Sequence, residues 1–369
     1  TYHLIYLSDT DNTDILIQIY EIGLATDHEL IVLEILQEIR TADEFPFVLE
    51  LLVKLLSEMD QFSQAIFYIQ QLMEIDAKTD QRIISLGELY LLNNNIDHVI
   101  TTLEPIYNSG NYSLDVLRLL LIAYSTIGKS EEQITISLIL TKEYPDLSIG
   151  YEALSFAYLD SGEEVNALNI LHKALNKFPD EATFPHTLAN IYYQSKNYSQ
   201  AEKYFRVALG INPQMFSILH NLAIMFEEME DTIRSDSLFK HIIIQNENDA
   251  VGLNDYAYII AERNNSSQNE LNYALELVKR AIEIEPENAS FLDTIGWIYY
   301  KMGVYDKAQK YLEKSLKINE DNPVILEHMG DIYHKLDASG QAVLLYEKAY
   351  IKDTGNETIQ NKINQINDR

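Results

Sequence analysis

Apolar residues recur along this chain in two rhythms, one short and one long. Over stretches of about a dozen residues they fall at i, i+3, i+4 and i+7, the stripe of a helix with one buried face. The clearest case is 289–322, where Leu292, Ile295, Gly296 and Tyr299 are followed, beyond Gly303, by Ala308, Leu312 and Leu316. This predicts two antiparallel helices joined at the glycine. The long rhythm places an aromatic residue at Tyr90, Tyr124, Tyr158, Tyr192 and Phe226, each 34 residues after the last. A fixed long period marks stacked repeats, each covering its neighbour's apolar face. Carried along the chain, the frame gives nine units: 46–79, 80–113, 114–147, 148–181, 182–215, 216–249, 250–288, 289–322 and 323–356.

Small residues recur three positions before the aromatic site, at Gly87, Ser155, Ala189, Ala223, Ala257, Gly296 and Gly330. They predict a close approach of the two helices of a unit. The second helix repeats the device at Ala65, Ala167, Ala201, Ala274, Ala308 and Ala342, and Pro145, Pro179, Pro213 and Pro286 then stop it. Val53 and Leu121 break the small-residue rule in units 46–79 and 114–147, so less regular packing is expected there. Unit 250–288 is longer than its neighbours because of a polar string from Asn264 to Gln268, read as a tolerated insertion or as a contact loop. The acidic segment 1–45 reads either as a degenerate repeat threaded through Ile15, Ile19, Ile22, Ile31 and Ile35 or as an unrelated cap. Residues 357–369 read as a polar capping helix.

With these residues and this period, the chain resembles the tetratricopeptide-repeat family over 46–356. The resemblance implies an all-α, right-handed superhelical solenoid of antiparallel helix pairs, with first helices lining a concave groove and second helices on the convex side. By the same resemblance the peptide-binding groove residues are His186, Asn190, Tyr193, His220, Asn221, Asn254, Tyr258, Asp293, Trp297, Tyr300, Asp331 and His334. Arg118, Phe156 and Thr187 fall at equivalent positions. Asparagine amides donate to and accept from a peptide backbone, and aromatic rings give large contact areas. Trp297 stands at a groove position and is expected to expose an anchor there. Some family members clamp a peptide's terminal carboxylate with lysine, asparagine and arginine. Asn190 and Asn221 match two of those positions, but His186, Val251 and Asp255 depart from the basic ones.

Composition narrows the partners. A net charge of −30 opposes nucleic acid and anionic membranes, both of which call for clustered Lys and Arg. Residues 182–215 form a more basic band, with Lys196, Lys203 and Arg206 against Glu202 alone. The absence of cysteine removes disulfides and thiolate chemistry from consideration and leaves the compartment open. No run of 18 or more apolar residues exists to span a bilayer, and the start at Thr1 admits a removed signal or anchor. Walker-type, Gly-rich dinucleotide, nucleophile-elbow and zinc-protease motifs are missing, and His186 and His220 lack a third ligand.

The expected function is a non-enzymatic, cofactor-free scaffold that holds a protein or extended peptide in its groove. The alternatives are a structural protein that assembles with itself and a regulatory domain of a larger chain. The stretch from Asn254 to Asp331 is similar to bacterial tetratricopeptide proteins, many of them exported or lipid-anchored. That implies an envelope location, with cytosolic scaffolding as the rival.

Overall fold

The computed structural model describes residues 13–42 and 46–367, so the acidic residues 1–12 and the junction 43–45 lie outside the described residues. Among the described residues every regular element is an α-helix. In chain order they are α1 (Thr13–Ala25), α2 (Glu29–Ala42), α3 (Pro46–Glu58), α4 (Phe62–Ile75), α5 (Asp80–Leu92), α6 (Ile96–Asn108), α7 (Leu114–Thr126), α8 (Ser130–Glu143), α9 (Ile149–Asp160), α10 (Glu164–Lys177) and α11 (Thr183–Gln194). There follow α12 (Tyr198–Ile211), α13 (Phe216–Glu228), α14 (Thr232–Gln245), α15 (Ala250–Glu262), α16 (Gln268–Ile284), α17 (Ala289–Lys301), α18 (Tyr305–Ile318), α19 (Pro323–Lys335), α20 (Ser339–Lys352) and α21 (Glu357–Asn367). Odd-numbered helices through α19 are the first, or A, helices of pairs, and even-numbered ones the second, or B, helices.

The chain divides into two compact units, Thr1–Leu188 and Ala189–Arg369, with the boundary inside α11. In the first unit one core runs from Leu16 to Leu140. In the second a core runs from Leu219 to Ile332, and a smaller one around Tyr346, Ile359 and Ile363 seats α21. Several successive A helices touch within each unit, α1 with α3 and α5 with α7 in the first, α15 with α17 and α17 with α19 in the second, whereas no consecutive B helices approach comparably among the described residues. A stack whose A helices lie closer together than its B helices curves with the A helices inside.

The turn between A and B helices explains the 34-residue period. At one fixed position the backbone adopts a left-handed conformation: Asp60, Asn94, Gly128, Gly162, Lys196, Glu230, Gly303 and Asp337 all have positive φ. Each ends its helix with the paired bonds of a Schellman cap. In α17, Gly303 N–H donates to the Tyr300 carbonyl and Val304 N–H to the Tyr299 carbonyl, both at 2.9 Å. The second acceptor is the periodic aromatic residue itself, as it is for Tyr90, Tyr124, Tyr158, Tyr192 and Phe226.

Close approach explains the small residues. A Cβ on Gly296 would sit 2.9 Å from Leu312 Cγ, and one on Gly330 2.5 Å from Tyr346 Cε1. Unit 250–288 has no left-handed turn among its described residues. Its α15 ends at Arg263 in an extended conformation, and the inserted string delivers Ser267 as N-cap of α16, where Ser267 and Glu270 form a reciprocal capping box. Part of the insertion is thereby spent on starting a helix.

Residues 13–42 form a helix pair packed on α3. The stripe read through the isoleucines holds at Ile19, which is buried, and at Ile15 and Ile35, which pack on the core, and is corrected at Ile22 and Ile31, which are exposed; Leu16, Tyr20, Val32, Leu33, Leu36 and Ile39 complete the buried face. Gly23 lets α1 and α2 cross so closely that a Cβ there would overlap Val32.

Candidate peptide-binding face

The A helices of the second unit carry most of the groove residues read from the sequence. Asn221 Nδ2 donates to Asn190 Oδ1 at 3.4 Å, joining successive A helices α11 and α13. Tyr193 and Tyr198 both donate to the Glu228 carboxylate, at 2.7 and 3.1 Å. Burial first, and then that carboxylate, hold the Tyr193 hydroxyl protonated well above the usual phenol range. His220 lies between two carboxylates, Nε2 at 3.0 Å from Asp249 and Nδ1 at 3.6 Å from Asp255, with its ring edge-on to Phe239. Burial alone would favour the neutral ring, but hydrogen bonding of the ring to the Asp255 and Asp249 carboxylates outweighs it and raises its pKa. His186, on the first unit's part of α11, is half-buried, and burial lowers its pKa.

Four of the expected groove residues are not open to a ligand: Asn254, Asp293, Trp297 and Asp331 are buried. Trp297 is the main correction, at 7% exposure. Its ring stacks on Tyr300 at 4.7 Å and on His328 at 4.0 Å, its indole N–H donates to Glu262, and Lys301 Nζ lies 5.0 Å from the ring centre. Every face that a ligand would use is taken by a neighbouring side chain. Asp293 accepts from His328 Nδ1 at 2.9 Å, which accounts for a buried carboxylate on an A helix. Asp331 accepts from the Tyr346 hydroxyl at 2.6 Å and from Lys362 Nζ at 2.7 Å, tying α21 to the last pair. Asn254 donates weakly to Asp255 at 3.4 Å, and its Oδ1 is buried without a hydrogen-bond partner.

The remaining positions are half-buried. Tyr258 faces His328 at 6.5 Å, and burial, then Glu262 and Asp293, push its hydroxyl pKa up. Tyr300, on the Trp297 stack, is pushed up to about 12, chiefly by burial. His334 has a buried Nδ1 without a partner. The structure thus brings Tyr258, Asp293, Trp297 and Tyr300 together around His328, and Asn190 together with Asn221.

Sequence reading passed over His328, Glu228, Glu262 and Lys362, the partners that neutralise these positions. Their signal was a repeat-spaced separation: Trp297–Glu262, His328–Asp293, Tyr193–Glu228 and Lys362–Glu327 are each 35 residues apart. At the root of the inserted string Arg263 pairs with Glu227 at 2.7 Å and with Asp236 at 2.8 Å, 36 and 27 residues earlier in the chain.

Residues 158–223 and 289–322 each match a family profile described as tetratricopeptide repeat. This chain is a tetratricopeptide-repeat protein. A TPR repeat-containing protein of Pseudomonas aeruginosa, PA4667, is 26% identical over 156 residues, covering 42% of this chain and 26% of its own length. The BBSome complex member BBS4 of Bos taurus is also 26% identical, over 108 residues, covering 29% of this chain and 20% of its own length. The chain therefore spans about a quarter or less of these relatives. Among solved structures, yeast Tom70 aligns with TM-score 0.56 at 13% identity over 99% of this chain and 90% of its own. A tetratricopeptide repeat protein of Parabacteroides merdae aligns with TM-score 0.51 at 15% identity over 78% and 98%. At such identities these structures show a shared fold. No described helix of this tetratricopeptide-repeat protein is long and apolar enough to cross a membrane, and no group of three or more potential ligands for a metal ion exists among the described residues.

Proposed function

We propose that this chain is a non-catalytic scaffold that holds segments of partner proteins against the inner, A-helix face of its repeats. The fold is consistent with a protein-interaction scaffold. The observation that carries the reading further is the half-exposed row Asn190, Asn221, Tyr193 and Tyr258, which offers amides and hydroxyls on one side of consecutive A helices. Their orientation is set in advance by neighbours, so little entropy is lost when a peptide binds. Nucleic acid is opposed as a partner by the net charge of −30.

The test is affinity capture with the wild type and an Asn190→Ala, Asn221→Ala, Tyr258→Phe variant, followed by mass spectrometry. Trp297 is left intact because its removal would damage the core. Specific partners lost by the variant support the face. Partners retained equally move binding to the outer B-helix side. Sedimentation of the purified chain over a hundredfold concentration range tests the self-assembling alternative. An envelope location, drawn from the likeness of the C-terminal repeats to exported bacterial proteins, is tested by cell fractionation.

A further inference from the structure

On the inner face of the first unit lies a cavity of about 550 Å³ between α3 and α5, floored by the B helix α4. Its apolar lining is Val53, Ile69, Leu72, Leu89 and Leu92, and Leu92 is 58% exposed at the mouth. Val53 is one of the two residues that depart from the small-residue rule, so the opening lies where the repeat is irregular. The apolar track continues on the next A helices, where Ile122 is 43% and Phe156 44% exposed. Ile122 and Phe156 stand at equivalent positions of α7 and α9, 34 residues apart, so their exposed side chains follow one another along the same face.

The charges beside this track are unequally satisfied. Arg82 is spent on Glu50 at 2.6 Å and Asp76 at 2.8 Å, Lys54 lies over the Tyr20 ring, and Glu58 accepts from the Tyr20 hydroxyl. Glu88 at the cavity has no ion pair among the described residues. Burial, and then repulsion from Asp115, raise its carboxyl pKa, with Arg118 pulling partly the other way. Glu152, on the same helix as Phe156, is raised likewise by burial and by Glu181. Both are carboxylates that an arriving cation would stabilise.

We infer that the inner face of the first unit is a second, chemically distinct docking site for an extended segment carrying large apolar residues with Lys or Arg between them, its leading apolar side chain seated in the cavity. The spacing follows from geometry. Packed helices stand about 8–10 Å apart, and an extended chain advances about 3.3 Å per residue, so one repeat spans roughly three residues. The apolar residues of the partner then fall at every third position, and its cations meet Glu88 and Glu152. This rests on the scaffold reading but assigns it a place and a partner chemistry outside the second unit.

The probe is a fluorescent synthetic nonapeptide with Phe or Leu at every third position and Lys elsewhere, titrated into the full chain at physiological salt. Two controls replace its apolar residues by Ala or its lysines by Glu. The expected result is that both controls bind at least tenfold more weakly than the parent, and that Glu88→Lys and Leu92→Asp each weaken the parent at least tenfold. Both substituted side chains are exposed, so the variants fold, as circular dichroism will check. Ser57→Trp, which fills the cavity, should act in the same direction. Equal binding of the Ala control shows bulk charge attraction and overturns the proposal, as does insensitivity to Glu88→Lys and Leu92→Asp. Concentration-dependent dimers abolished by Leu92→Asp also overturn it, by assigning the track to a second copy. If the probe binds but is lost only in the Asn190, Asn221, Tyr258 variant, this site fails while the scaffold reading stands.

Discussion

Single residues decide the turns and the tightest contacts. A non-glycine residue in the left-handed region costs about 1 kcal/mol or more relative to glycine, and Glu230 occupies such a position with φ of 59°. Glu230→Gly should therefore raise stability by up to about 1 kcal/mol in urea unfolding, whereas Gly303→Ala should lower it by a similar amount. Gly296→Leu meets Leu312 and the Ala308 carbonyl at once and should cost about 1–3 kcal/mol through overpacking. An unchanged melting temperature would show that α17 and α18 do not cross at that glycine. As the single tryptophan, Trp297 reports its own surroundings. Its fluorescence should resist iodide quenching, and Trp297→Ala should cost about 3–5 kcal/mol.

At the scale of helices and repeats, the joints carry the polar chemistry. Asp249 caps α15 by accepting from Gly252 N–H at 3.0 Å and also pairs with His220 of the preceding repeat. Because the folded state raises the His220 pKa, its contribution is fully present below the unfolded value and fades as pH rises through the folded one. Melting temperatures of the wild type and His220→Asn should therefore diverge most near pH 5.5 and converge by pH 8.5. A constant gap across that range would remove His220 as the titrating group. The A and B helices themselves were legible in the sequence, because the apolar period and the glycines of 289–322 admit few other readings. The left-handed turn was harder to read, since Asp, Asn, Lys and Glu stand in for glycine at five of its positions outside α1–α2.

On the scale of the molecule, each unit has its own core, and contacts run mainly between neighbours along the chain. The last described pair is covered by α21 through Ile359, Ile363 and the Lys362 amine, which donates to Glu327 and Asp331 at 2.7 Å each. Burial disfavours the charged amine, yet Asp331 and Glu327 outweigh it and raise its pKa. Its contribution therefore holds at neutral pH and disappears only as strongly alkaline pH passes the folded value. Lys362→Ala leaves two carboxylates beside the Tyr346 hydroxyl and should cost about 2 kcal/mol. Hydrogen exchange should show α21 opening ahead of α17 and α18.

The amino-acid sequence by itself determined the repeat, the all-helical class and the small-residue contacts, because periodic burial leaves a periodic trace in residue type. It also placed Asn190 and Asn221 on successive helices of one face, since register within a repeat follows from counting. Only the tertiary structure decided which of those positions stay open. Trp297, Asp293, Asp331 and Asn254 have the register of ligand contacts but are closed by Glu262, His328, Lys362 and their neighbours from adjoining repeats. The cavity beside Val53 was likewise invisible in sequence, because an opening depends on how far helices stand apart, and that distance is set jointly by side chains distant along the chain.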